Sequence, residues 1–340
     1  MTPALDGIDL FVLNDSAGLG ASVCSALGLC ASPLEQTEFE DGEHKARPLT
    51  DVRGRDVYVL QSLYGDPRHS ADDKLCRLLF LIAALRDAAA ARVTAVVPYP
   101  VYSRKDRRTK RNDSLSTRYV AALVESMGAD AIMTMDVHNQ SAFQNAFRCH
   151  TEHLFAHSLF VDAIAPIAAG RPVCVVAPDA GAIHRASQFR LGLSAATGTA
   201  VGSAFAEKVR RAGQLSGDML VGEVGEHDVV IVDDMIASGN TLARTAVMCA
   251  ARGARRVYGL ATHGLFTGDA CRTLAEAPLN RLFVTDTVPP FRLAYGTVRE
   301  KLQVLSCGAL VADAIRDAHV GAFPVRTCNG PRVPPPGQGS

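Results

Sequence analysis

Apolar residues in this chain gather into short continuous runs instead of alternating with polar ones. The clearest are Asp56-Val-Tyr-Val-Leu60, Val93-Thr-Ala-Val-Val97, Ala131-Ile-Met-Thr-Met135, Val173-Cys-Val-Val-Ala177, Val229-Val-Ile-Val232 and Val257-Tyr-Gly-Leu-Ala261. Runs of this length, apolar at both parities, suit strands covered on both faces of a parallel sheet. Between them lie Ala- and Leu-rich stretches with helical spacing: Leu75 to Ala90, Ser116 to Met127 and Thr241 to Arg252. The alternation predicts an α/β protein with mainly parallel sheets flanked by helices. The run from Asp56 to Val97 also has a shorter counterpart, from Asp228 to Ala261. Either the chain is duplicated, or two βαβ units merely look alike. Duplication predicts two similar halves, residues 1–155 and 156–323. The segment from Pro324 to Ser340, rich in Pro and Gly, reads as a disordered tail (324–340).

Composition narrows the function. With 48% apolar and 21% charged residues, the 340-residue chain is globular. Thirty-five basic residues balance 35 acidic ones. A zero net charge argues against a protein built around a nucleic-acid backbone or an anionic membrane, while leaving room for a local basic site. The nine cysteines include no CxxC pair, so neither a disulfide framework nor a zinc ribbon is read. No signal peptide is read at the N-terminus, and the apolar run Leu78 to Leu85 is too short to span a bilayer. A cytoplasmic location is the expectation.

The segment Val229-Val-Ile-Val-Asp-Asp-Met-Ile-Ala-Ser-Gly-Asn-Thr-Leu242 carries the most chemistry. An apolar strand ends in two carboxylates, Asp233 and Asp234, and the polar loop Ser238-Gly239-Asn240-Thr241 opens a helix. Free backbone N–H groups at a helix N-terminus suit a phosphate. Gly239 permits close backbone approach, and Ser238 and Thr241 add hydroxyl donors. The carboxylates suit either the two hydroxyls of a ribose or a divalent metal. Elsewhere, Arg104 to Arg111 holds six basic residues in eight positions after a strand. That cluster suits a triphosphate, although a solvated surface loop has the same composition. His150, His153 and His157 have a helical spacing but no carboxylate or cysteine partner at a characteristic interval, so they are not read as a metal centre.

The Asp233 to Thr241 motif resembles the phosphoribosyl-binding loop shared by phosphoribosyltransferases and ribose-phosphate pyrophosphokinases. Further segments resemble the second family: Phe39-Glu-Asp-Gly-Glu43, Pro98-Tyr-Pro-Val-Tyr-Ser-Arg-Lys-Asp-Arg107, Asp136-Val-His138, Pro178-Asp-Ala-Gly181 with Arg185, Thr262-His-Gly-Leu-Phe266 and Thr285-Asp-Thr287. They run in family order from about Leu10 to His319. The resemblance implies two phosphoribosyltransferase-type, Rossmann-like domains. It implies transfer of the diphosphoryl group of MgATP to ribose 5-phosphate, giving phosphoribosyl diphosphate and AMP. It assigns ATP to Phe39, Asp41, Glu43, Arg104, Lys105, Asp106 and His138, and ribose 5-phosphate to Asp233, Asp234, Ser238, Gly239, Asn240 and Thr241. Magnesium (Mg2+) falls to His138 and Asp179. Lys208 and Arg210 become the catalytic cations of a mobile loop. In the family the Phe39 loop serves a neighbour's site, which implies a homo-oligomer, at least a dimer and by extension a hexamer.

Some positions depart from the family pattern. Ala237-Ser238 stands where an acidic residue and a Thr are usual, Asn240 and Ala182 where Gly is frequent, and Asn139 to Asn145 differs from the usual run. The last region bears on regulation by phosphate and ADP. A phosphoribosyltransferase and a non-catalytic homologue that joins an active oligomer are the competing readings.

Overall fold

The structure, a computed structural model, describes residues 7–211, 214–293 and 296–321. The expected tail, 324–340, lies outside the described residues. The chain forms two units, Met1–Leu154 with Ser306–Ser340, and Phe155–Leu305.

The first unit contains β1 (Ile8–Val12), α1 (Ala17–Leu27), β2 (Leu34–Glu38), β3 (His44–Pro48), β4 (Asp56–Leu60), α2 (Ala71–Asp87), β5 (Arg92–Val97), α3 (Ser116–Ser126), β6 (Ala131–Met135), α4 (Gln140–Ala146) and β7 (His150–Leu154). Five strands form a sheet in the order β1-β4-β5-β6-β7, every pair parallel, and β2 and β3 form a separate antiparallel hairpin. The second unit contains α5 (His157–Ala168), β8 (Val173–Ala177), α6 (Ile183–Thr197), β9 (Gly202–Arg211), β10 (Gln214–Val221), β11 (Asp228–Ile236), α7 (Asn240–Ala251), β12 (Arg256–Gly264), α8 (Ala270–Glu276), β13 (Arg281–Thr285), α9 (Thr297–Lys301) and β14 (Leu302–Leu305). Its sheet order is β10-β9-β8-β11-β12-β13-β14, with only the β9–β10 pair antiparallel. The last helix, α10 (Gly308–His319), belongs to the first unit.

All six apolar runs are strands. Val57, Val59, Val93, Ala95, Val229, Ile231 and Leu260 are fully buried, as the absence of alternation requires. The two halves correspond strand for strand, each with a hairpin between its first and second parallel strands. An ion pair marks the same register in both. Asp56 faces Arg92 across β4 and β5, and Asp228 faces Arg256 across β11 and β12; each Arg grips its carboxylate through two nitrogens.

The boundary set at 156–323 gives α10 to the second half, whereas by packing α10 lies on α1 and the first sheet. Arg92 donates to Ala318 O (2.9 Å), His319 Nδ1 lies 2.7 Å from Asp56, and Val311, Ala312, Ile315 and Ala318 are buried. Gly308 permits the close helix approach, since a Cβ there would sit 2.6 Å from Ser22 Cβ. His150, His153 and His157, not read as a metal centre, do not share one helix despite their spacing. The first two lie on β7, where alternate residues face opposite sides, and His157 begins α5.

Candidate active site

The second unit places its chemistry at the C-terminal ends of adjacent parallel strands, where α/β folds bind ligands. β11 runs past the expected Val232 to Ile236, so both carboxylates lie within the strand. Asp234 is buried and Asp233 partly so. Asp234 N–H donates to Asp233 Oδ1 (2.8 Å). Burial, then the neighbouring Asp234 charge, drive the Asp233 pKa well above the usual carboxylate range, and Arg185 offsets only part of this. Two carboxylates held together in this way favour a ligand that donates hydrogen bonds or carries positive charge.

The loop after β11 leads directly into α7. Its N-cap is Gly239, at φ +77°, with no side-chain cap on the first turn. Gly239 offers the first-turn N–H groups no side chain of its own. Gly239 is required twice over, because its backbone is left-handed and a Cβ would lie 2.8 Å from Leu274 Cγ. Asn240 is the first helical residue, and the left-handed position belongs to Gly239. Ser238 and Asn240 are exposed and Thr241 is partly buried.

Asp179 follows β8 and caps a short helical turn, accepting from Gly181 N–H (2.9 Å) and Ala182 N–H (3.2 Å) through Oδ1. It is exposed. Arg244 of α7 donates to Pro178 O (3.3 Å), tying this turn to the phosphate-type loop. Behind the site, Thr285 donates to Thr262 O (2.7 Å) and His263 Nδ1 lies 2.9 Å from Thr287 Oγ1, all four side chains being buried. Lys208 and Arg210 lie on β9, opposite Asp218 and Leu215 of β10. Their side chains lie outside the described residues.

The first unit gathers most of the expected ATP residues at its own strand ends. Asp106 accepts from Asn139 Nδ2 (2.8 Å), which joins the basic loop to the Asp136–His138 turn. Lys105 is committed to Asp113 (2.8 Å), whose carboxylate also accepts from Thr109 N–H and Lys110 N–H. These contacts hold Asp113 far below the ordinary carboxylate range. The basic stretch is thus a loop folded around an acidic centre, not a free cationic run. Arg104 and His138 are exposed. Phe39 stands 49% exposed at the end of the β2–β3 hairpin, where Asp41 accepts from Glu43 N–H (3.1 Å).

Sequence reasoning missed the support beneath that hairpin. Glu38 meets His69 Nε2 (3.0 Å) and Arg77 (3.2 Å), and His69 Nδ1 lies 3.1 Å from Asp15. Lys74 is fully buried, 2.5 Å from Asp66 and 3.7 Å from the centroid of the Tyr64 ring. Burial works to raise the Asp66 pKa, but Lys74 and two backbone N–H groups outweigh it and hold the group at about 2. Only the pairing of these distant residues in space reveals the network; no spacing in the chain does.

Among the described residues no group of three or more His, Cys, Asp or Glu is arranged to hold a metal, and no helix is long and apolar enough to cross a membrane.

Comparison with known proteins agrees with this geometry. Residues 8–128 match the N-terminal domain of ribose phosphate pyrophosphokinase, and residues 209–323 match the phosphoribosyl synthetase-associated domain. The chain is 32% identical over 317 residues to ribose-phosphate pyrophosphokinase of Caldanaerobacter subterraneus subsp. tengcongensis, covering 93% of this chain and 96% of that protein. It is 31% identical to ribose-phosphate pyrophosphokinase A of Dictyostelium discoideum over 93% and 96% of the two chains. The crystal structure of phosphoribosylpyrophosphate synthetase from Mycobacterium smegmatis superposes with a TM-score of 0.84 at 30% identity, over 93% of this chain and all of that one. Likeness that spans both units, together with a ribose-phosphate type of loop in the second, shows that the chain belongs to the ribose-phosphate pyrophosphokinase family of diphosphotransferases.

Proposed function

We propose that the chain transfers the diphosphoryl group of MgATP to the C1 hydroxyl of ribose 5-phosphate, feeding nucleotide biosynthesis in the cytoplasm. The C1 oxygen attacks the β-phosphorus. The bond between that phosphorus and the α,β-bridging oxygen breaks, AMP leaves with the bridging oxygen, and the hydroxyl proton is released. Such chemistry depends on in-line positioning and charge neutralisation more than on covalent catalysis.

One observation carries the reading. The paired carboxylates Asp233 and Asp234 stand directly before an uncapped helix N-terminus built on Gly239. The carboxylates accept hydrogen bonds from ribose hydroxyls, while the backbone N–H groups from Ser238 to Thr241 take the 5-phosphate. Phe39, Asp41, Glu43, Arg104, Lys105, Asp106 and His138 hold ATP, the Phe39 loop serving a neighbouring subunit of a homo-oligomer. Lys208 and Arg210 neutralise charge that develops on the transferred group.

Asp179 fits magnesium, offering an exposed hard-oxygen ligand with Oδ1 engaged in capping; the same reading assigns magnesium to the exposed His138 as well. A magnesium ion keeps several waters and binds substrate phosphates alongside few protein ligands. When bound it supplies charge neutralisation to the polyphosphate.

The test is a steady-state assay with ribose 5-phosphate and MgATP. AMP should form in step with phosphoribosyl diphosphate, and Lys208→Ala should lower kcat by about 100-fold or more. No AMP, with base-dependent release of diphosphate from phosphoribosyl diphosphate, would instead identify a phosphoribosyltransferase.

A further inference from the structure

We propose that His153 is a positioning residue for nucleotide binding, acting through the Asp136–His138 turn. This rests on the reading that the turn holds ATP. β6 ends at Met135, and the chain then turns at Asp136, a buried non-glycine residue with φ +37°. A left-handed backbone is disfavoured for a residue with a Cβ, though less for Asp than for most, so contacts from its neighbours help to hold it there.

β7 does this in two ways. The Asp136 N–H donates to Leu154 O (3.0 Å), continuing the sheet by one bond past the last strand residue. The next N–H, that of buried Val137, donates to His153 Nε2 (3.0 Å). His153 lies opposite Thr134 in the β6–β7 register and is 8% exposed. An imidazole nitrogen thus takes a backbone hydrogen bond at the residue immediately before His138. Accepting through Nε2 requires a neutral ring with its proton on Nδ1. On the far side of His138, Asn139 donates to Asp106 and caps α4 by accepting from Ala142 N–H (3.1 Å). His138 is therefore presented from a turn pinned at both ends, and only the His153 end uses a side chain from another strand.

Groups that orient a ligand without touching it act through such contacts. The discriminating variants are His153→Leu, which keeps apolar bulk but loses the acceptor, and His153→Gln, whose Oε1 can accept the same N–H. In the full-length protein, His153→Leu should raise the KM for ATP by about tenfold, with little change in the KM for ribose 5-phosphate. Hydrogen exchange should quicken in the peptide spanning residues 134–139, and His153→Gln should restore both. The proposal is overturned if His153→Leu leaves ATP KM and exchange unchanged. It is equally overturned if both KM values move together, or if His153→Gln behaves as His153→Leu. Exchange is read without turnover, so it separates this proposal from the assigned reaction: wild-type protein that forms no AMP defeats the reaction alone, provided exchange and direct binding of a non-hydrolysable ATP analogue still follow the acceptor at residue 153.

Discussion

Asp233 shows how a candidate site residue works against the fold that holds it. Its raised pKa means that the folded protein binds a proton at this carboxylate more tightly than the unfolded chain does. The associated stability is fully present below the ordinary carboxylate range, near pH ~4, and is lost as pH rises through the raised value. Asp233→Asn removes the repulsion with Asp234 while keeping the shape. The ligand-free variant should melt a few degrees higher at neutral pH, at roughly 2–4 °C per kcal/mol regained, and its melting temperature should vary less with pH than that of the wild type. Ribose 5-phosphate should no longer shift that temperature. Gly239→Ala should cost stability instead, about 1–2 kcal/mol, through the left-handed backbone and the collision with Leu274. Calorimetry on the two variants should therefore show opposite signs at two residues of one site. Such signs were not legible in the sequence. Asp233, Asp234 and Gly239 stood out there by type and spacing, but the burial that sets their energetics is a tertiary property.

At the scale of elements, the six apolar runs marked six of the fourteen described strands. Continuous apolar runs identify buried parallel strands because both faces of each are covered. Edge and hairpin strands lack that signal. β2 has no fully buried residue, and β7 carries His150 and His153 among its five residues. The two crossover helices α2 and α7 occupy equivalent places yet begin differently. Ser70 and Asp73 form a reciprocal capping box on α2, whereas α7 begins at Gly239 with no side-chain cap. The two equivalent helices thus differ at their N-termini: a side-chain cap closes α2, and a glycine opens α7. Ser70→Ala should lower stability by about 1 kcal/mol, with the KM for ribose 5-phosphate unchanged. Chemical denaturation and steady-state kinetics on that one variant check both halves of the statement.

Across the whole molecule, the repeated Asp–Arg pair aligns the two units. Counting forward from Asp56 and Asp228, Gln61 and Ser62 stand in the first unit where Asp233 and Asp234 stand in the second. At these equivalent positions the first unit has neither the paired carboxylates nor a helix that begins at a glycine. Calorimetric titration should accordingly find one ribose 5-phosphate per chain. The sequence showed two similar βαβ runs and left duplication open, and the return of α10 to the first unit was not legible, since contacts such as Arg92 with Ala318 join residues far apart in the chain. The neutral total charge likewise conceals opposed local fields: basic residues along Arg104–Arg111, acidic ones at Asp179, Asp233 and Asp234. If neighbouring subunits share sites through the Phe39 loop, oligomers mixed from inactive Phe39→Ala and Lys208→Ala chains should regain activity, because some sites then combine an intact loop with an intact Lys208. Independent sites would regain none.

The central claim is that a two-phosphate unit moves as one piece. ATP labelled at the β-phosphorus, incubated with magnesium, ribose 5-phosphate and the protein, tests it directly. The label should leave the nucleotide and appear in phosphoribosyl diphosphate, with unlabelled AMP as co-product. Label retained in ADP would mean that only the terminal phosphoryl group moves, and would contradict it.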